Sequence, residues 1–236
     1  MIDRLQFRAI RRALSLAGIP FGARILDVGC GTGRWLRRYQ EMGFCPSGVD
    51  STLAMLLLAK RLGVVSPLVT GEAQRLPFAD ATFDCVSDIT VVQHIPASQQ
   101  PKALAEMMRV LKPGGQLILM ELIRGKGAHV FPRTPEDWIH QTTLCGAKLV
   151  EWSGQEFLLL DRAFVRCARA LAVKRASHSD GVIAPLESGS RQRSFPRRIY
   201  LKALQLLALI SPSAEPIFEK ILPSRLATHG VFVFRK

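Results

Sequence analysis

The stretch ILDVGCGTGRWL, Ile25 to Leu36, constrains the fold more than any other part of the chain. ARILDVGC is apolar almost without interruption, the pattern of a strand covered on both faces, and such strands belong to parallel sheets flanked by helices. Glycines follow at Gly29, Gly31 and Gly33, and GRWLRRYQEMG then reads as a helix. The same alternation continues downstream. PSGVDS is a short second strand ending in Asp50, TLAMLLLAKRLG a helix closed by Gly63, and VSPLVTGEA a third strand. A fourth strand runs from Phe83 to about Asp88. KALAEMMRVL is a helix stopped by the KPGG turn, and QLILMEL is a fifth strand. Strands alternating with helices imply an α/β fold with a doubly wound, mostly parallel sheet.

Past Arg124 the pattern changes. TPEDWIHQTTLCG is a helix with Thr134 as N-cap and Pro135 in its first turn, and AKLVEWSGQEFLLL reads as a sixth strand. DRAFVRCARALAVKRA and RRIYLKALQLLALI are helical segments separated by the loop-like SHSDGVIAPLESGSRQRSFP, and HGVFVFRK closes the chain as a strand. With 236 residues, 48% of them hydrophobic, the chain suffices for one sizeable core. We therefore read 1–236 as a single domain with an N-terminal amphipathic helix at 1–18, a ligand-binding core at 20–160, a helical insert at 161–227 and a closing strand at 228–236.

Charge is distributed unevenly. The chain carries a formal net charge of +13, and residues 161–236 hold 14 basic against 5 acidic side chains, compared with 18 against 14 in residues 1–160. Such a field attracts polyanions, anionic lipid or phosphorylated molecules. Cys30, Cys45, Cys85, Cys145 and Cys167 form no CxxC pair and sit mostly in apolar runs, which points to reduced, buried thiols, no metal site and a cytoplasmic protein. The N-terminus lacks the continuous apolar core of a signal peptide. The longest apolar run, LQLLALI, is far shorter than the roughly 20 residues of a membrane span.

The glycine spacing is GxGxG. Arg34 and Trp35 stand where a triphosphate-binding loop needs Lys and Ser or Thr, so that ligand is excluded. A nicotinamide dinucleotide is harder to dismiss, because Asp50 lies where an acidic residue could hold ribose hydroxyls in either case. Four blocks in order, LDVGCGTG, GVDSTLAML, GEAQRLPFADATFD and VLKPGGQLIL, resemble the class I S-adenosylmethionine-dependent methyltransferases, in particular the small-molecule branch with the ubiquinone/menaquinone-biosynthesis type of domain. The resemblance covers about residues 20–125 and implies a Rossmann-like methyltransferase fold whose last strand is antiparallel.

It also implies roles. Gly29, Gly31 and Gly33 would let the backbone approach the methionine moiety, and Asp27 would accept from its ammonium group. Asp50, followed by Ser51, would take the ribose hydroxyls. Glu72 would accept from the adenine amino group while Ala73 offers its N–H to the ring; the family more often has Asp at the position of Glu72. Met55 either covers the adenine face or belongs to the core. His94, in VVQHI after the fourth strand, is the candidate general base if the acceptor must lose a proton. Asp88 and Glu121, at the ends of the fourth and fifth strands, are candidates for the acceptor pocket.

The expected activity is methyl transfer from S-adenosylmethionine to a small or lipid-like acceptor, at oxygen, with the insert forming an acceptor lid. LKALQLLALI beside Arg191, Arg193, Arg197 and Arg198 gives the insert the character of an interfacial helix, able to make peripheral membrane contact. With Phe195 and Tyr200 nearby, the same cluster keeps an RNA methyltransferase open. A protein that binds the cosubstrate without turnover is a further alternative. The sequence carries no signal for oligomeric state.

Overall fold

The computed structural model describes residues 2–125, 129–155 and 227–236. Helix α1 (Ile2–Leu16) precedes strand β1 (Arg24–Val28), which leads through the glycine turn into α2 (Arg34–Glu41). Then come β2 (Cys45–Asp50), α3 (Leu53–Arg61), β3 (Leu68–Thr70) and β4 (Phe83–Ile89), followed by a single 3-10 turn, Val92–His94. Helix α4 (Gln100–Val110), β5 (Leu111–Leu122), α5 (Pro135–Leu144), β6 (Lys148–Gln155) and β7 (His229–Arg235) complete the described elements.

The seven strands form one sheet in the order β3-β2-β1-β4-β5-β7-β6. The first five are parallel, and β7 runs antiparallel between β5 and β6. The last strand is therefore antiparallel, as the resemblance implied, and β6 stands at the edge.

Alternation along each strand builds two cores. Leu26, Val86, Leu117, Leu119, Phe232 and Phe234 face Leu104 and Met107 of α4 and Trp138 of α5. Ile25, Cys85, Ile118, Met120, Val231 and Val233 face Ile10 and Leu14 of α1 and Trp35 and Tyr39 of α2. Successive residues point to opposite faces, so a continuously apolar strand is what a sheet covered on both sides demands. Helix α1 is also tied down by charge. Arg34 and Arg38 both donate to Asp3, while Arg38 lies over the rings of Phe7 and Trp35.

Several boundaries differ from the sequence reading. The third strand is only Leu68–Thr70, because β3 needs to pair with β2 over Gly48 to Asp50 alone. The KPGG turn lies inside β5, where Leu111 pairs with Phe83 and Gln116 with Cys85. The extra residues are absorbed by a bulge, with Gly114 at φ +78°. Cys45 is exposed, since it begins β2 at the end of the sheet away from the core. Thr134 caps α5 as expected, accepting from the Asp137 N–H at 3.1 Å. Residues 156–160 of the expected sixth strand, the insert 161–227 apart from Ala227, its arginine cluster and Cys167 lie outside the described residues. Among the described residues, no helix is long and apolar enough to cross a membrane.

Candidate ligand site

A cavity of about 370 Å³ opens at the carboxyl ends of β1, β2 and β4, where the strand order reverses. Open parallel sheets bind ligands at this place, and the volume lies in the roughly 300–1,000 Å³ range of small-molecule sites. Its wall brings together Gly29, Asp50, Ser51, Glu72, Ala73 and His94, which are scattered over 66 positions of the chain. Among the described residues the lining holds no Lys or Arg, and its ionisable side chains are Asp50, Glu72 and His94.

The glycine turn is shaped by its backbone. Gly29, Gly31 and Gly33 have φ of +66°, +52° and +74°, in the left-handed region that other residues reach only with strain. At Gly29 a Cβ would lie 2.4 Å from Val91 Cγ2, so the turn and the loop after β4 meet without room for a methyl group. Gly33 N-caps α2. Asp50 pins the turn from the neighbouring strand: its Oδ2 accepts from the Gly31 N–H and its Oδ1 from the Thr52 N–H, both at 2.8 Å. Each carboxylate oxygen has two acceptor positions, so both retain capacity toward the cavity.

Asp27 lies beneath the turn, 2% exposed, accepting from Ser87 Oγ at 3.0 Å. Burial pushes its carboxyl up to about 7, partly countered by the Ser87 hydroxyl and reinforced by the charge of Asp88. A cationic partner above it would reverse that shift. Met55 is neither core nor lining: it is 44% exposed on α3.

Asp88 and Glu121 are both fully buried and do not reach the cavity. Strand ends in an open sheet sometimes lie at the rim, but here the loop after β4 folds back over them. Glu121 accepts from the N–H groups of Val91 and Val92 at 3.0 Å and of Gln93 at 2.9 Å, and Asp88 accepts from Val91 at 3.2 Å. The two carboxyls lie side by side. Burial raises both, Asp88 to about 6, and Glu121 further because the Asp88 charge adds to its desolvation. Their work in this structure is to satisfy the backbone of the loop that carries His94.

That loop fixes the histidine tautomer. Gln93 Oε1 accepts from the Leu122 N–H at 2.7 Å, which orients the amide and leaves its Nε2 to donate to His94 Nε2 at 3.4 Å. His94 Nδ1 lies 3.1 Å from the carbonyl oxygen of His129, an acceptor only. The proton of the neutral ring is thus on Nδ1, and Nε2 carries the lone pair. Sequence reasoning missed the orienting roles of Gln93 and the His129 carbonyl. It also missed Thr90, which lines the cavity at φ +63°. No local signal marks a threonine for left-handed backbone. Among the described residues, no group of three or more His, Cys, Asp or Glu converges as metal ligands would. Cys85 is fully buried and its thiol raised by that burial, so it offers no thiolate to the site.

Residues 26–119 match the family model described as a methyltransferase domain. The demethylmenaquinone methyltransferase of Renibacterium salmoninarum is 38% identical over 111 residues, covering 47% of this chain and 46% of that protein. The malonyl-[acyl-carrier protein] O-methyltransferase of Erwinia pyrifoliae is 37% identical over 122 residues, 51% of this chain and 45% of that one. The chain thus spans about half the length of the curated relatives it matches. Among solved structures, the [4+2]-cyclase SpnF superposes with a TM-score of 0.60 at 20% identity, covering 97% of this chain and 80% of that one. That likeness concerns the fold, which evidently serves more than one chemistry.

Proposed function

We propose that this chain, whose residues 26–119 belong to the class I methyltransferase family, binds S-adenosylmethionine and transfers its methyl group to a small or lipid-like acceptor, at oxygen. The observation that carries the reading is the charge of the cavity. A nicotinamide dinucleotide brings a diphosphate, and a lining whose described residues offer two carboxylates and no Lys or Arg opposes it. S-adenosylmethionine brings a sulfonium and an ammonium, which the same lining favours.

In this reading the Gly29–Gly33 turn admits the methionine moiety, Asp27 faces the ammonium, Asp50 and Ser51 take the ribose, and Glu72 with Ala73 reads the adenine. The cosubstrate supplies a methyl group on an already activated sulfur leaving group, so alignment carries much of the rate. His94 is the candidate base: the His129 carbonyl holds Nδ1–H, and the Nε2 lone pair receives the proton of an acceptor hydroxyl once that hydroxyl displaces the long 3.4 Å contact from Gln93 Nε2. Oxygen as the methylated atom agrees with the printed name of the Erwinia relative. The quinone named in the Renibacterium relative and the basic insert at 161–227 support a lipid-like acceptor, peripheral membrane contact and a cytoplasmic setting.

Calorimetric titration tests the first step. Binding of S-adenosylhomocysteine in the micromolar range without binding of NADH is expected; preference for NADH sinks the reading. Intact binding with no methyl loss across a broad hydroxyl acceptor panel would leave a binding protein without turnover.

A further inference from the structure

A surface helix ordinarily buries an apolar stripe and shows water a polar one. Helix α2 obeys this rule, with Trp35, Leu36 and Tyr39 buried and Arg34, Arg37, Arg38 and Glu41 on the remainder. Helix α3 breaks it. It buries only Leu56 and Ala59, which pack on Cys30, Leu36 and Val64. Leu53, Met55, Leu57, Leu58 and the C-cap Leu62 are between 42% and 57% exposed, and Val65 just beyond is 74% exposed. At 3.6 residues per turn, Met55, Leu58 and Leu62 fall on one flank, Leu53 and Leu57 on the other, and Arg61 between them. Scattered exposed leucines need no explanation, but six large apolar side chains exposed on one short helix and the residues just past it do.

The charges around the patch indicate what covers it. Helix α3 has no acidic residue, and Lys60 and Arg61 stand exposed in its last turn. Neither has a carboxylate partner among the described residues. A second copy of this chain docked face to face would set Lys60 and Arg61 against the same two cations. An apolar face set among unpaired cations matches an anionic bilayer, where leucines enter the acyl boundary and cations meet headgroup phosphates.

We propose that α3 is a docking surface for an anionic lipid bilayer. The cavity mouth lies at its N-terminal end, since Asp50 and Ser51 line the cavity and Thr52 caps the helix. Docking therefore places that mouth beside the membrane. Docking of this surface does not require methyl transfer.

Vesicle flotation of the full chain tests it, using phosphatidylcholine with and without phosphatidylglycerol. The unaltered protein should float with the anionic vesicles. The Leu57→Ser/Leu58→Ser double variant should lose about tenfold in partitioning, and Lys60→Glu/Arg61→Glu at least as much, with a weaker salt dependence. All four positions are exposed, so both variants should keep the unaltered thermal midpoint. Leu149→Ser/Val150→Ser, which alters exposed apolar residues on the edge strand β6, should float like the unaltered protein. Unchanged flotation of both α3 variants, or no flotation of the unaltered chain, overturns the proposal. So does a light-scattering dimer that Leu57→Ser/Leu58→Ser converts to a monomer, which would assign the patch to a second copy.

Discussion

Two pairs of carboxylates sit at the carboxyl ends of adjacent strands, and they do opposite work. Asp27 and Asp50, on β1 and β2, stand at the glycine turn: Asp50 lines the cavity with acceptor capacity to spare, and Asp27 lies buried under the turn, outside the lining. Asp88 and Glu121, on β4 and β5, are sealed beneath the loop after β4: both oxygens of Glu121 and Oδ1 of Asp88 accept from its N–H groups, while Asp88 Oδ2 is buried with no hydrogen-bond partner among the described residues. The same chemical group at the same height of one sheet lines a cavity or braces a loop depending on what folds over it. Buried carboxylates must be satisfied, and three backbone donors in a row satisfy Glu121.

The contrast breaks most visibly at the brace. Glu121→Ala leaves three N–H groups without their acceptor and should cost about 3–5 kcal/mol in urea unfolding. Glu121→Gln keeps an uncharged acceptor of the same shape and should lose far less. An alanine variant as stable as the unaltered protein would remove the distinction between the two pairs.

On the cavity side the loss should appear in binding instead of folding. Asp50→Ala should weaken S-adenosylhomocysteine about a hundredfold by calorimetry, as expected for two charge-assisted hydrogen bonds, while the unfolding midpoint moves little. Water can serve the part-exposed Gly31 and Thr52 N–H groups that Asp50 releases.

The glycine turn, which joins the two regions, allows a sharper comparison. Gly29→Ala and Gly31→Ala both carry the left-handed strain of about 1–2 kcal/mol. The new Cβ at Gly31 meets nothing within 4 Å, whereas at Gly29 it strikes the Val91 side chain. Thermal unfolding should therefore place Gly29→Ala below Gly31→Ala by roughly 2 kcal/mol.

The smallest effect is a pH dependence. In the proposed function the ammonium of the cosubstrate meets the Asp27 carboxylate, a group that burial pushes up to about 7. Affinity should fall as pH drops through 7, by up to about tenfold per pH unit, and Asp27→Asn should flatten the profile. For stability the sign is the reverse. The native Asp27 holds its proton more tightly than an unfolded aspartate at about 3.9, so its contribution is full at acid pH and fades as pH rises through 7.

Much of the core was legible from local pattern. Continuous apolar strands, Gly63 and Thr134 at helix ends and the three spaced glycines each reflect short-range sterics or hydrogen bonding, which a few neighbouring residues decide. Asp50, Ser51, Glu72 and Ala73 were picked out by resemblance to a family, and they share one cavity wall because strand ends of a parallel sheet converge. Asp88 and Glu121 stand at strand ends too and were misplaced by that criterion. Their burial depends on a loop that crosses over from β4, and on Gln93 and Glu121, 28 positions apart, meeting in space. The tautomer of His94 likewise depends on a carbonyl 35 positions away. Met55 could not be assigned either, since an apolar residue on a helix is read as core unless the whole surface is known.

By itself the sequence determined the class of fold, which follows from periodicity and from backbone freedom at glycine, both acting within a few residues. Its resemblance to a family picked out Asp50, Ser51, Glu72 and Ala73, which the structure brings to one cavity wall. Only the tertiary structure decided which carboxylates face the cavity, which nitrogen of His94 carries the proton and which helix leaves its leucines in water. Those depend on burial and on hydrogen bonds between distant segments, and both are properties of the packed chain.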